Sequence, residues 1–113
     1  MDVNGLWTVS FSTPLGEGTG VLTLLDGILA GGDANYYYSG SYVQDGSKLK
    51  GDLRVVHFAG PLTAVFGPIR ELQLNFTAVA GGDLIMAQGL AVGLLAQRLA
   101  IRMQRVAAFG VLK

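Results

Sequence analysis

Apolar and polar residues alternate with a period of two along much of this chain, a pattern that fits half-buried β-strands and little else. It is plainest where Leu72, Leu74, Phe76 and Ala78 interleave with Glu71, Gln73, Asn75 and Thr77. Successive side chains of a strand point to opposite faces, so such a run has one dry face and one wet one. Leu49, Leu53 and Val55 against Lys50, Asp52 and Arg54 repeat the pattern, as do Tyr36, Tyr38 and Tyr42 against Asn35, Ser39 and Ser41. Seventeen glycines against three prolines then cut the chain into short runs. Asp26-Gly27 and Asp45-Gly46 suit the positive φ angles of two-residue type I′ hairpin turns. Gly31-Gly32-Asp33 and Gly81-Gly82-Asp83 read as further turns. These marks predict strands near residues 3–12, 17–25, 28–31, 35–44, 47–58, 69–79, 83–91 and 97–107.

Short strands joined by tight turns form a meander, and eight of them can close on themselves and remove both exposed edges. The fold expected is therefore all-β: a single domain over residues 1–113, an eight-stranded antiparallel meander barrel of lipocalin-like type, with at most one short helical segment. That segment falls in the stretch from Gly60 to Pro68, which has a proline near each end and no alternation, and reads as a loop or helical turn over one barrel mouth. The end of the chain has two readings. On a helix Arg98, Arg102 and Arg105 would share a face, whereas Gly89 and Gly93 favour strand.

Half the residues are hydrophobic and 14% are charged, so the chain should fold and leave apolar surface that a homodimer would bury. Eight basic and eight acidic residues balance, which removes the field that attracts nucleic acid. The distribution is nonetheless uneven: after Asp83 there are only bases, Arg98, Arg102, Arg105 and Lys113, giving a local charge of about +4. They read as a solvated face or as a basic patch for an acidic partner. The most apolar stretch, Leu84 to Ala96, is thirteen residues long and too short for a membrane helix, which needs about twenty. Met1-Asp2 opens no export signal, so the expected location is the cytoplasm, with no membrane or nucleic-acid partner.

Residues able to carry out chemistry are sparse. Without cysteine there is neither a disulfide nor a thiolate metal site, and His57 is the lone histidine. It follows Leu53 and Val55 on one face and reads as a structural, hydrogen-bonded side chain. Asp26, Asp33, Asp45 and Asp83 sit in turns, and no acid pair stands out. Gly16-Glu17-Gly18-Thr19-Gly20 lacks the spacing and the lysine of a phosphate loop, and fits close backbone approach in a bent strand. No catalytic residue, metal site or cofactor is expected, and the chain reads as a binding protein rather than an enzyme.

Gly5-Leu6-Trp7 is similar to the G-x-W element at the mouth of lipocalin barrels. Asn4-Gly5-Leu6-Trp7, Gly16-Glu17-Gly18, Asp26-Gly27, Gly31-Gly32-Asp33 and the tyrosine run ending Ser39-Gly40-Ser41-Tyr42 together resemble the GrlR family, small lipocalin-like barrels typified by a negative regulator of type III secretion. The resemblance covers the first sixty residues or so and continues loosely through Pro61 and Leu72 to Phe76. It implies a dimeric barrel with an apolar cavity that acts by protein contact, sequestering a transcriptional activator. The family's typifying member presents alternating acids on a surface loop. The corresponding hairpin here, Gln44, Asp45, Gly46, Ser47 and Lys48, keeps one acid, so that role does not transfer residue by residue. Two sites follow as expectations: this hairpin as a partner loop, and an interior lined by Leu53, Val55, Leu72, Leu74 and Phe76 that takes a small apolar, fatty-acid-like ligand or is filled by its own side chains.

Overall fold

A computed structural model describes residues 2–62, 69–92 and 98–109. Its eight strands are β1 (Gly5–Thr13), β2 (Gly16–Leu25), β3 (Ile28–Gly32), β4 (Tyr36–Asp45), β5 (Lys48–His57), β6 (Glu71–Gly81), β7 (Leu84–Ala91) and β8 (Arg98–Ala108). They pair in chain order, and β8 pairs with β1 to close the barrel. Every pairing is antiparallel. This is the expected meander, and residues 98–108 resolve the two readings of the C-terminal stretch in favour of strand. No helix occurs among the described residues; most of the segment in which a helical turn was expected, 63–68, lies outside them.

Alternation places the core. Trp7, Val9 and Phe11 from β1, Leu22 and Leu24 from β2, Leu53 and Val55 from β5, Leu74 from β6, Ile85 from β7, and Leu99, Ile101 and Met103 from β8 all point inward and are buried. Burying a side chain of this size contributes about 1.5–3 kcal/mol each, so closure rests on this apolar lining. Tyr36, Tyr38 and Tyr42 point inward with them, and Tyr37 faces out. No buried side-chain polar atom among the described residues lacks a partner.

The turns depart from expectation in two places. At Asp26-Gly27 both residues have positive φ, 48° and 89°, as a type I′ turn requires. At the next hairpin Asp45 pairs with Lys48, so the turn is centred on Gly46 and Ser47 and only Gly46 has positive φ. Asp45 is the last strand residue there, and the turn is not type I′. Gly31 and Gly32 likewise belong to β3 rather than to a turn, which starts at Asp33. A Cβ on Gly31 would overlap the carbonyl of Val21 on the neighbouring strand, so this glycine permits tight interstrand approach.

Candidate functional site

Opposite ends of the barrel are fastened differently. At the end carrying the β2–β3, β4–β5 and β6–β7 turns, Trp7 is fully buried and its indole N–H donates to the carbonyl of Val3 at 2.9 Å. Arg105 lies over the ring, 5.1 Å from its centroid. Its guanidinium donates to Asp83 Oδ1 at 2.7 Å and to the carbonyls of Asp2 at 2.9 Å and Asn4 at 3.1 Å. Asn4 in turn exchanges hydrogen bonds with Asp26, at 2.9 and 3.0 Å. The segment before β1 thus seals the barrel floor.

Arg105 corrects one expectation. It does not join Arg98 and Arg102 in a basic patch; it follows Leu99, Ile101 and Met103 on the inward side of β8, and its side chain is only 15% exposed. Register explains the geometry: Leu6 pairs with Ala107 but Trp7 with Arg105, so Val106 is an extra residue and the strand bulges beside Trp7. Lys113 lies outside the described residues.

At the far end, Asp33 organises the β3–β4 connection. Its carboxylate accepts from the backbone N–H groups of Asn35 and Tyr36, each at 2.8 Å, and from the hydroxyl of Tyr38. Burial, reinforced by the adjacent Asp33 carboxylate, pushes the Tyr38 phenol well above its ordinary pKa of 10.0. His57 Nε2 is 2.7 Å from the carbonyl of Gly60 and must carry the proton to make that bond, and its ring meets Tyr36 edge-on at 5.3 Å. The side chain is engaged as a structural histidine would be. No group of three or more histidine, aspartate or glutamate residues able to hold a metal ion occurs among the described residues.

The interior cavity is apolar and has a volume of about 30 Å³, which is water-sized by the measure that asks roughly 10–15 Å³ for one water. Of the five residues expected to line it, Leu53 and Phe76 do so. Val55 and Leu74 are buried in the core without bordering the void, and Leu72 packs against the core while partly exposed. Phe11, Leu22, Leu24 and Met103 also line it; Leu22 and Leu24 follow a glycine-rich run and Met103 lies among arginines, whereas Phe11 ends the clean alternation of Trp7 and Val9 and was legible in the sequence. The expected partner hairpin is exposed at its tip: Gln44 Nε2 donates to the carbonyl of Gly46 at 2.9 Å, and Asp45, Ser47 and Lys48 are open to solvent.

The outer wall is rich in exposed apolar side chains, among them Ile28 at 57%, Val43 at 62%, Phe58 at 57%, Val79 at 57% and Met86 at 52%. A trough crosses β4–β8 on that wall, with room of about 820 Å³ where Lys48, Lys50, Val79 and Met86 border it. It continues past Thr77, Gln88 and Ala100 into a second stretch of about 580 Å³ beside Leu90 and Arg98. The pairing rows Lys48–Val79–Met86–Arg102, Lys50–Thr77–Gln88–Ala100 and Asp52–Asn75–Leu90–Arg98 place neutral and apolar side chains between Lys48, Lys50 and Asp52 on β5 and Arg98 and Arg102 on β8. On the same wall Arg54 is bound by Glu71, its Nε at 3.0 Å, and the carboxylate holds its pKa above the ordinary value.

These features define a class: a small, closed, eight-stranded meander barrel consistent with a lipocalin-like architecture, nearly filled by its own side chains and carrying open apolar and cationic surface. No protein-family model matches the chain, and no curated protein matches it.

Proposed function

We propose that this protein is a non-enzymatic regulatory binding protein that acts by protein–protein contact through the outside of its barrel, in the manner implied by its resemblance to the GrlR family. The observation that carries the reading is the contrast between a void of about 30 Å³ inside and large exposed apolar side chains outside. Ligand pockets usually enclose about 300–1,000 Å³, and exposed apolar surface on a small domain marks interaction sites. Homodimerisation belongs to the same reading, since apolar side chains such as Val43 and Val79 gain from burial against another chain. Affinity capture from native cell extract should recover the same partner protein in repeated experiments, and capture of none would overturn the proposal. A second reading, a carrier or sensor of a small apolar ligand, is favoured by the wholly apolar lining of the cavity. It requires the barrel to open, and mass spectrometry of material extracted from the purified protein separates the two.

A further inference from the structure

Charge is divided along the chain in a way that its zero net charge conceals. Residues 1–47 contain five of the eight acids and no lysine or arginine, so every one of the eight basic side chains comes later. Two are consumed internally among the described residues, Arg54 by Glu71 and Arg105 by Asp83. Lys48, Lys50, Arg98 and Arg102 are exposed on the outer wall and make no ion pair with any of the described residues.

We propose that the trough between these four cations docks an acidic amphipathic helix of a partner protein. The inference rests on the contact-regulator reading and names the surface and the chemistry of its partner. The cations stand in two rows, on β5 and β8, separated by three strand spacings of about 4.8 Å each, or roughly 14 Å around the wall. An α-helix is about 10–12 Å across, so one helix fits between the rows. Its apolar stripe would meet Val79, Met86 and Leu90, and carboxylates on its flanks would reach the cations. Asp45 borders the trough at its end beside Lys48, and Asp52 follows Lys50 on the outward face of β5 in the row that ends at Arg98, so the four cations face two carboxylates and the surface keeps a positive excess.

Other occupants fit less well. Phe76 is the aromatic residue that borders the trough, and it is only partly exposed because its ring also lines the interior cavity, so the trough lacks the stacking platform that single-stranded nucleic acid uses. A second copy of this chain offers no helix among the described residues, and few outward acids on β1–β4.

The test uses a fluorescent designed peptide helix of about 18 residues, with a leucine stripe flanked by glutamates, alongside versions carrying glutamine or lysine in their place. Anisotropy with the full chain should show the glutamate peptide binding roughly tenfold or more tightly than the glutamine peptide, and weakening as salt rises. A K48E/K50E/R98E/R102E variant, checked for its fold by circular dichroism, should lose binding by a similar factor. Ala100→Trp, which blocks the trough floor without altering charge, should also lose it and keeps the test decisive if the fourfold variant does not fold. Equal binding to the altered chains, a glutamine or lysine peptide that binds as tightly, or binding of phosphatidylserine vesicles or an oligonucleotide in place of the glutamate peptide would overturn the proposal. A natural partner captured equally by wild type and the fourfold variant would overturn the docking surface while leaving contact regulation standing.

Discussion

Arg105 stands where the alternation of β8 calls for an apolar side chain, and the barrel accommodates it by surrounding its guanidinium with acceptors and laying it on Trp7. Hydrogen bonds to a charged group contribute about 1.5–3 kcal/mol when protected; with Asp83 64% exposed, the ion pair itself is worth little. Replacing Arg105 with Met keeps the hydrocarbon stem and removes the donors, and is expected to cost about 2–3 kcal/mol in urea unfolding. Tyr38 gives a pH dependence. Its folded pKa is raised above the ordinary value, so the folded chain keeps the proton that the unfolded chain releases above pH 10.0. The stability it contributes is complete below that pH and is lost as pH rises beyond it, at up to about 1.4 kcal/mol per pH unit. A Tyr38→Phe variant should therefore have a flatter stability curve above pH 10.0 than the wild type; matching curves would show that this phenol is not the titrating group.

Turns decide the behaviour of the hairpins. Gly81 ends β6 without a positive φ, and a Cβ there would meet nothing within 4 Å, whereas its neighbour Gly82 has φ 62°. Gly82→Ala is expected to cost about 1–2 kcal/mol, the penalty of left-handed backbone for a residue with a Cβ. Gly81→Ala should be neutral or slightly stabilising, because alanine restricts the unfolded chain. Thermal unfolding of the two variants checks the contrast. The strands themselves were legible in the sequence, because alternation is a local property: the run from Glu71 to Gly81 matches its predicted strand to within two residues at either end. Register was not. Whether Asp45 lies in a turn or pairs with Lys48, and whether Gly31 bends the chain or admits Val21, depends on the neighbouring strand. The candidate site was less legible for the same reason. Leu53 and Phe76 could be placed on an inward face, but the cavity volume depends on how eight strands close, and the groups that hold Arg105 inward, Trp7 and Asp83, come from other parts of the chain.

For the molecule as a whole, the small interior makes a distinction that solution experiments can read. Leu74 is fully buried between Leu53 on β5 and Ala91 on β7. Leu74→Trp should overpack the core and cost about 1–3 kcal/mol while leaving apolar-dye binding unchanged, since the dye meets the outer wall. Loss of dye binding in a folded variant would show that the barrel opens, and would favour the carrier reading. Light scattering is expected to give about twice the 11.8 kDa chain mass at micromolar concentration; a single-chain mass throughout would remove the dimer from the proposal.

Closure of β8 onto β1 also bears on how the chain reaches its native state. Thr8 meets Gln104, and Arg105 reaches back to Asp2, contacts 96 and 103 residues apart in sequence. Ordered β1 has only β2 as a neighbour until β8 arrives, so the barrel has two unsatisfied strand edges through most of its assembly. Pairings of such sequence separation form slowly. During synthesis the first strand must wait for almost the whole chain to emerge, and the interval before the seam closes is when this protein is most exposed to edge-to-edge misassembly.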